Sequence, residues 1–323
     1  MVVYLKPSGF KYICLEMSIR ILHCIFLAGL FSCFSNLVGC TNTGQRSSVE
    51  RCAVPSFEDT LLNGISLVKV AKGPFKSGLA CSTQKIDYDY WIGKFEITNE
   101  QYFKFLKEAI EQQIIFTKDN KLFIPHPDAP SSSAHCFLVK YLDHAIYIDT
   151  QGKLALNITY AQHPVTSVSW YGANAFCKYY GFVLPNEKEW EKAARANNST
   201  RFSWGDDING HYANFLNSHD PYEPGTTPVG YYNGRQHAGF QTKNACSPYG
   251  CYDMAGNAWE WTRDLFQSDS KNHLGKGGSF NIHTPAGLQI YYVSTFRVAQ
   301  DTPPLDCTHL ADGFRVVKRF DHE

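Results

Sequence analysis

The amino-acid sequence predicts a loop-rich α+β fold. Three observations carry that reading. Strand patterns broken by turns occupy residues 65–97, and three helices begin after Thr98, Ser169 and Asn186. After about residue 197 the helical period stops, and Gly, Asn, Asp and aromatic residues dominate.

The elements follow in order. Ile65–Val70 and 75–79 flank Lys72-Gly73-Pro74, which reads as strand, turn, strand. Residues 89–97 (DYWIGKFEI) read as another strand. Thr98 then starts a helix through a capping box, in which Thr98 caps and Gln101 reaches back. Tyr102, Phe105, Leu106, Ala109 and Ile110 recur at helical spacing behind it. Residues 111–162 have the character of an insertion, with hairpins expected at 117–123 and 149–156 and loop at 125–134. The second helix runs from the cap Ser169 to Gly181, a good C-cap. The third begins after Asn186 with Glu189 at N3, turns Trp190, Ala193 and Ala194 inward, and pairs Glu191 with Arg195 on the outside. Loops as long as those beyond 197 are functional or held by metal ions.

Composition excludes several classes. Of 323 residues, 44% are hydrophobic and 15% aromatic, too ring-rich for a disordered chain. Lys plus Arg and Asp plus Glu are 30 each, a balance that argues against broad, non-specific nucleic-acid binding and leaves room only for a local basic patch.

Residues 21–38 form an apolar stretch that follows Arg20 and ends in Leu37-Val38-Gly39-Cys40. A positive flank, an apolar run and small residues make an export signal. Its last four residues resemble a bacterial lipobox, whose Cys is lipidated. Met17 would then be a suitable start, giving a leader of ordinary length. An uncleaved span explains the terminal Gly-Cys less well. The expected organisation is a leader (1–40), a polar tether (41–64) and one domain (65–320). The protein is expected in the bacterial cell envelope, held to the membrane through Cys40 on the periplasmic or cell-surface side. Seven cysteines follow Cys40, an odd number, so at least one thiol stays free or pairs between chains. Cys246 and Cys251 bracket a turn and form either a local disulfide or two small buried apolar groups.

Several blocks in one order resemble the formylglycine-generating enzyme (sulfatase-modifying factor) family. They include Phe95-Glu96-Ile97-Thr98-Asn99-Glu100-Gln101-Tyr102, His163-Pro164-Val165 and Leu184-Pro185-Asn186-Glu187-Lys188-Glu189-Trp190-Glu191. Tyr252-Asp253-Met254-Ala255-Gly256-Asn257-Ala258-Trp259-Glu260-Trp261, Gly277-Gly278-Ser279-Phe280 and Gly313-Phe314-Arg315 complete the set. The resemblance covers about 65–318, with 111–162 unmatched. It implies a single domain related to C-type lectins, with two or three helices on small twisted sheets. It also implies structural calcium. The second family site falls on Asp253, Gly256, Ala258 and Glu260, whose oxygens suit a hard cation. The first falls on Asn214, Phe215, Asp220 and Tyr222, with one extra residue before Thr227-Pro228-Val229.

The oxidising members of that family use two cysteines after the Gly-Gly-Ser block, which bind Cu(I) as soft thiolates. Here Ile282 and Gly287 stand at those positions, so copper is not expected. Ser279 and His283 match active-site neighbours, and neither replaces a thiolate. The family's helix cysteine falls on Cys177, its bridging partner on Val316, and Cys307 is a candidate substitute. The iron-dependent sulfoxide synthases of the same family need an H-x3-E-H element, which is absent. Gly275-Lys276-Gly277-Gly278-Ser279 lacks the order of a phosphate loop.

The resulting expectation is a membrane-anchored, exported, non-catalytic domain that binds a protein or glycan, or serves envelope assembly. Related lipoproteins place their ligand surface from the Gly-Gly-Ser block onward, which here gives Asn281, His283, Gln289, Tyr291, Tyr292 and Arg297. The alternative is a metal-dependent oxidoreductase of the same family acting on exported substrates.

Overall fold

The computed structural model describes residues 58–118, 121–125, 135–137, 145–265, 272–292, 294–297 and 311–319. All lie in one unit, Val54–Glu323. The leader, Cys40, Cys52, most of the tether and Cys307 lie outside the described residues. Among the described residues no helix is long and apolar enough to cross a membrane.

The chain opens with β1 (Asp59–Leu62) and β2 (Ile65–Val70), joined by Asn63-Gly64 with both φ angles positive, at 53° and 78°. Asn-Gly is a two-residue hairpin signal. Regular structure is therefore present at least six residues before Ile65, the expected start of the domain. Next come β3 (Gly73–Ser77), β4 (Ser82–Ile86) and β5 (Tyr90–Gly93). β3 and β4 form their own hairpin, while β2 pairs with β1 and β5. Helix α1 (Asn99–Glu111) carries the expected capping box of Thr98 and Gln101.

In the insertion, β6 (Phe116–Lys118), β7 (Lys121–Pro125) and β8 (His135–Phe137) make one small sheet, and β9 (Ile146–Ile148) and β10 (Leu154–Leu156) a hairpin. Helix α2 (Trp170–Tyr180) is capped by Ser169 and closed by Gly181 at φ 72°. Helix α3 (Glu187–Arg195) carries the second capping box. Between α3 and residue 259 only β11 (Gln236–His237) and β12 (Phe240–Gln241) are regular strands. The chain ends with β13 (Trp259–Leu265), β14 (Asn272–Lys276), β15 (Ser294–Arg297), β16 (Asp312–Gly313) and β17 (Val317–Lys318).

Two four-stranded sheets organise the core. One has the order β1-β2-β5-β17, and the other β15-β14-β13-β16. β2 is buried on both faces: Ile65 and Leu67 join the cluster around α1 and α2, while Val68 and Val70 join the one around α3. This is why its sequence is almost continuously apolar. Rings fill the α1–α2 layer. Phe105 and Phe176 stand 5.5 Å apart, and Phe176 and Phe314 5.3 Å, all edge to face. Two indoles tie α2 to β13: Trp261 Nε1 donates to Val168 O at 2.8 Å, and Trp170 Nε1 to Thr262 O at 2.9 Å.

One helix differs from expectation. The Glu191–Arg195 pair forms at 3.6 Å, but both side chains are only 1% exposed. Glu191 also accepts from Gly78 N and from the buried Lys276, and Arg195 donates to Gly78 O. The 78–82 turn and β14 cover the face that helical periodicity assigns to solvent. Lys276 is consumed in this pairing and lies over Trp190, so the glycine-rich stretch around it is structural.

Cys81, Cys177, Cys246 and Cys251 are free thiols. Cys251 is fully buried, and burial pushes its thiol up to about 11, which fits the small-apolar reading of this residue rather than a local bridge. Cys177 is buried in the α1–α2 core, and burial raises its thiol as well.

Candidate functional site

The 253–260 turn enters β13 through three positive φ angles, at Asp253 (58°), Gly256 (82°) and Asn257 (64°). The bend is held from outside. Asn257 Nδ2 donates to Glu96 Oε2 at 2.8 Å, and Ala258 N to Glu96 Oε1 at 3.0 Å. Asp253 Oδ2 accepts from Gly230 N at 2.6 Å. Glu260 is fully buried and meets Arg315 at 2.6 Å through each carboxylate oxygen, with Trp190 Nε1 at 2.8 Å. Arg315 also donates to Gly93 O and Tyr252 O.

Three buried acids thus surround one guanidinium. Burial, followed by the charges of Asp253 and Glu260, raises the Glu96 carboxyl well above its usual range. Burial also pushes Asp253 up to about 6, with the Gly230 N–H and Arg315 opposing and Glu260 adding. Both shifts come chiefly from burial, with the neighbouring acids adding to it. Among the described residues no three His, Cys, Asp or Glu side chains form a metal-binding group, so a cation here would also need carbonyl oxygens. At the second family site the Asp253 carboxylate and the carbonyls of Gly256 and Ala258 are hard oxygen donors, whereas both Glu260 oxygens are already engaged by Arg315 and Trp190.

The first site fits less well. Asn214 abuts the same turn, its carbonyl accepting from Asn257 N at 2.9 Å and its Nδ2 donating to Gly225 O. However, Asp220 already accepts from Tyr222 N, Ser218 Oγ and Tyr232 Oη. The carbonyls of Phe215 and Tyr222 accept from Ser218 N and Gly225 N. These four residues close a loop on themselves, with one formal charge among them.

The 279–292 segment lies on the other side of the turn, with Phe280 N bonded to Asn257 O at 3.0 Å. A Cβ built on Gly287 would lie 3.0 Å from Ile282 Cγ2. The two positions are therefore neighbours, as a thiol pair requires, and here they hold a butyl side chain and none. Ser279 is fully buried and donates to Asn281 Oδ1 at 2.7 Å. Asn281, His283 and Tyr292 are exposed, and Tyr291 is half-buried. Gln289 corrects the expected surface. It is 8% exposed, with Oε1 lacking a hydrogen bond among the described residues, because Leu288 and Ile290 pack into the core on either side. Arg297 lies on β15 opposite Asn272, and its side chain is outside the described residues.

Sequence reading places Glu96 and Arg315 inside motif blocks without a role. Their separation from the turn, 161 residues from Glu96 to Asn257 and 55 from Arg315 to Glu260, hides the contact. A buried-acid cluster in need of a counter-charge is the signal that finds Arg315. A cavity beside His163 is also missed, since its walls come from five separate stretches of the chain.

A family model described as the sulfatase-modifying factor enzyme 1-like domain matches residues 56–320. The formylglycine-generating enzyme of Thermomonospora curvata is 32% identical over 47% of this chain and 54% of its own length. The inactive C-alpha-formylglycine-generating enzyme 2 of Bos taurus is 34% identical over 48% of this chain and 50% of its own. The chain spans between 24% and 54% of the first curated relatives it matches. Among solved structures, PvdO from Pseudomonas aeruginosa superposes with a TM-score of 0.55 at 16% identity, over 80% of this chain and 95% of that one, a likeness of fold.

Proposed function

Since the chain belongs to the sulfatase-modifying factor enzyme 1-like family, we propose that it is a non-catalytic member: a binding domain braced by calcium and carried on an exported, lipid-anchored chain. The observation that carries this reading is the contact of Ile282 with Gly287. Formylglycine formation oxidises a substrate cysteine, and the family does so with two thiolates. An alkyl group and a hydrogen supply neither a soft ligand nor a redox couple. A 34% identical Bos taurus relative is itself described as inactive, which is in keeping with this reading.

Calcium belongs at the second family site, where Asp253 would contribute charge and Gly256 and Ala258 carbonyls, beside the Glu260 carboxylate that Arg315 and Trp190 hold. A fixed scaffold loses little entropy on binding. The exposed Asn281, His283 and Tyr292, with Tyr291, supply the ligand surface, and lipidation at Cys40 holds it at the membrane.

Metal content and activity test the reading together. The intact protein, purified without chelator, is expected to hold calcium with neither copper nor iron. It is also expected to leave a cysteine-bearing sulfatase peptide free of aldehyde. Stoichiometric copper or iron, or aldehyde on the peptide, would transfer the case to the oxidoreductase reading. Substitution of Cys40 by Ala is expected to release the protein from the membrane fraction.

A further inference from the structure

A cavity of about 640 Å³ opens where the 160–167 segment meets the 221–226 loop. Its volume lies in the range of small-ligand sites. Two phenol rings frame it. Tyr160 and Tyr222 remain 42% and 38% exposed, large values for aromatic residues. Each stands edge to face on the His163 imidazole, with ring centres 5.2 Å away. Phe280 adds a third ring to the lining.

The polar groups are of one kind. His163 Nδ1 meets Thr226 Oγ1 at 3.0 Å, and its Nε2 makes no hydrogen bond among the described residues. Asn99 spends its Nδ2 on the carbonyls of Tyr160, His163 and Pro164, which leaves Oδ1 to accept. Burial lowers the pKa of His163, so the imidazole is neutral at pH 7 and can donate or accept. Among the described residues no Asp, Glu, Lys or Arg lines the cavity.

These features select a ligand class. A charged ligand would shed its hydration here without an ionic partner. A purely apolar one would leave the imidazole edge and the Asn99 oxygen unsatisfied. What fits is an uncharged ring with an apolar face and a rim of hydroxyls. We propose that this cavity is a binding site for an uncharged pyranose sugar, stacked on Tyr160 and Tyr222 with its hydroxyls on His163, Asn99 and Thr226. The assignment rests on the reading of this domain as a binding module and adds the 160–226 cavity as a site separate from the 281–292 surface. A proline-rich peptide would also stack on tyrosines. It needs an elongated groove with donors for its carbonyls, whereas this site is a compact pocket.

The test is saturation-transfer NMR on the intact protein with methyl glycosides of glucose, galactose, mannose and N-acetylglucosamine at millimolar concentration. Saturable binding of at least one is expected. Replacing Tyr160 or Tyr222 by Ala should weaken it about tenfold, the loss of one stacked ring. Tyr160→Phe, which keeps the ring, should bind as the parent does, and melting curves report that each variant folds. Failure of all four glycosides to bind, or binding unchanged by both Ala variants, overturns the proposal. So does displacement of the glycoside by a proline-rich peptide at lower concentration than by free sugar. Sugar binding lost in Tyr292→Ala and kept in Tyr160→Ala also overturns the cavity, while leaving the binding reading of the domain intact.

Discussion

Gly256 has no room for a side chain. A Cβ there would lie 2.1 Å from the Asn214 carbonyl oxygen, and φ is +82°. Gly256→Ala is therefore expected to cost about 3 kcal/mol or more, from strain and overpacking together, read as a fall in the denaturant midpoint. Arg315 is critical for a different reason. It is the counter-charge of Glu260 and sits within the field of Glu96 and Asp253. Arg315→Met should cost about 3–5 kcal/mol, because it strands a buried carboxylate. Combining it with Glu260→Gln should recover part of that loss, and full additivity of the two would refute the pairing account.

Among the elements, α3 does the most connecting. Asn186 Oδ1 accepts from Glu189 N at 2.7 Å and Glu189 Oε2 from Asn186 N at 2.8 Å. Asn186→Ala should cost about 1 kcal/mol, the usual worth of a cap. Glu189→Ala should cost more than that, since Arg319, Arg263 and Tyr88 also converge on this carboxylate. Equal losses in a thermal-melt comparison would mean that the convergence adds nothing. On β14, His273 stacks on Trp170 at 4.0 Å, and burial pushes its pKa down to about 4. The unfolded chain takes up a proton near the ordinary histidine value of about 6.5, and the folded one resists until about 4. Stability from this residue is thus complete at neutral pH and falls as pH drops through that window. The stability of His273→Gln should depend less on pH between those limits than that of the parent.

For the whole molecule, the buried acids at the 253–260 turn predict a dependence on calcium. The turn joins β5 and β17 through Arg315 to β13, so a cation there would brace both main sheets at once. Free calcium at a hundred times its dissociation constant should stabilise the fold by about 2.7 kcal/mol over the chelated protein, read from melting with and without chelator. Equal melting in both conditions would remove calcium from the account and leave Arg315 as the sole brace.

By itself the sequence determined the local elements of this protein. Capping boxes at Thr98 and Asn186, the Ser169–Gly181 helix and the apolar run of β2 depend on neighbours within a few residues, and short-range chemistry suffices to read them. The order of motif blocks likewise determined the family. Tertiary structure decided what lies between the elements. It buried the Glu191–Arg195 pair, turned Gln289 inward, set Ile282 against Gly287, and drew Glu96 and Arg315 to one turn. It also assembled the His163 cavity from segments around residues 99, 145, 163, 222 and 280. Helical and strand periods say which face of an element is apolar. They do not say what will cover its polar face, because that depends on charges and rings contributed from distant parts of the chain.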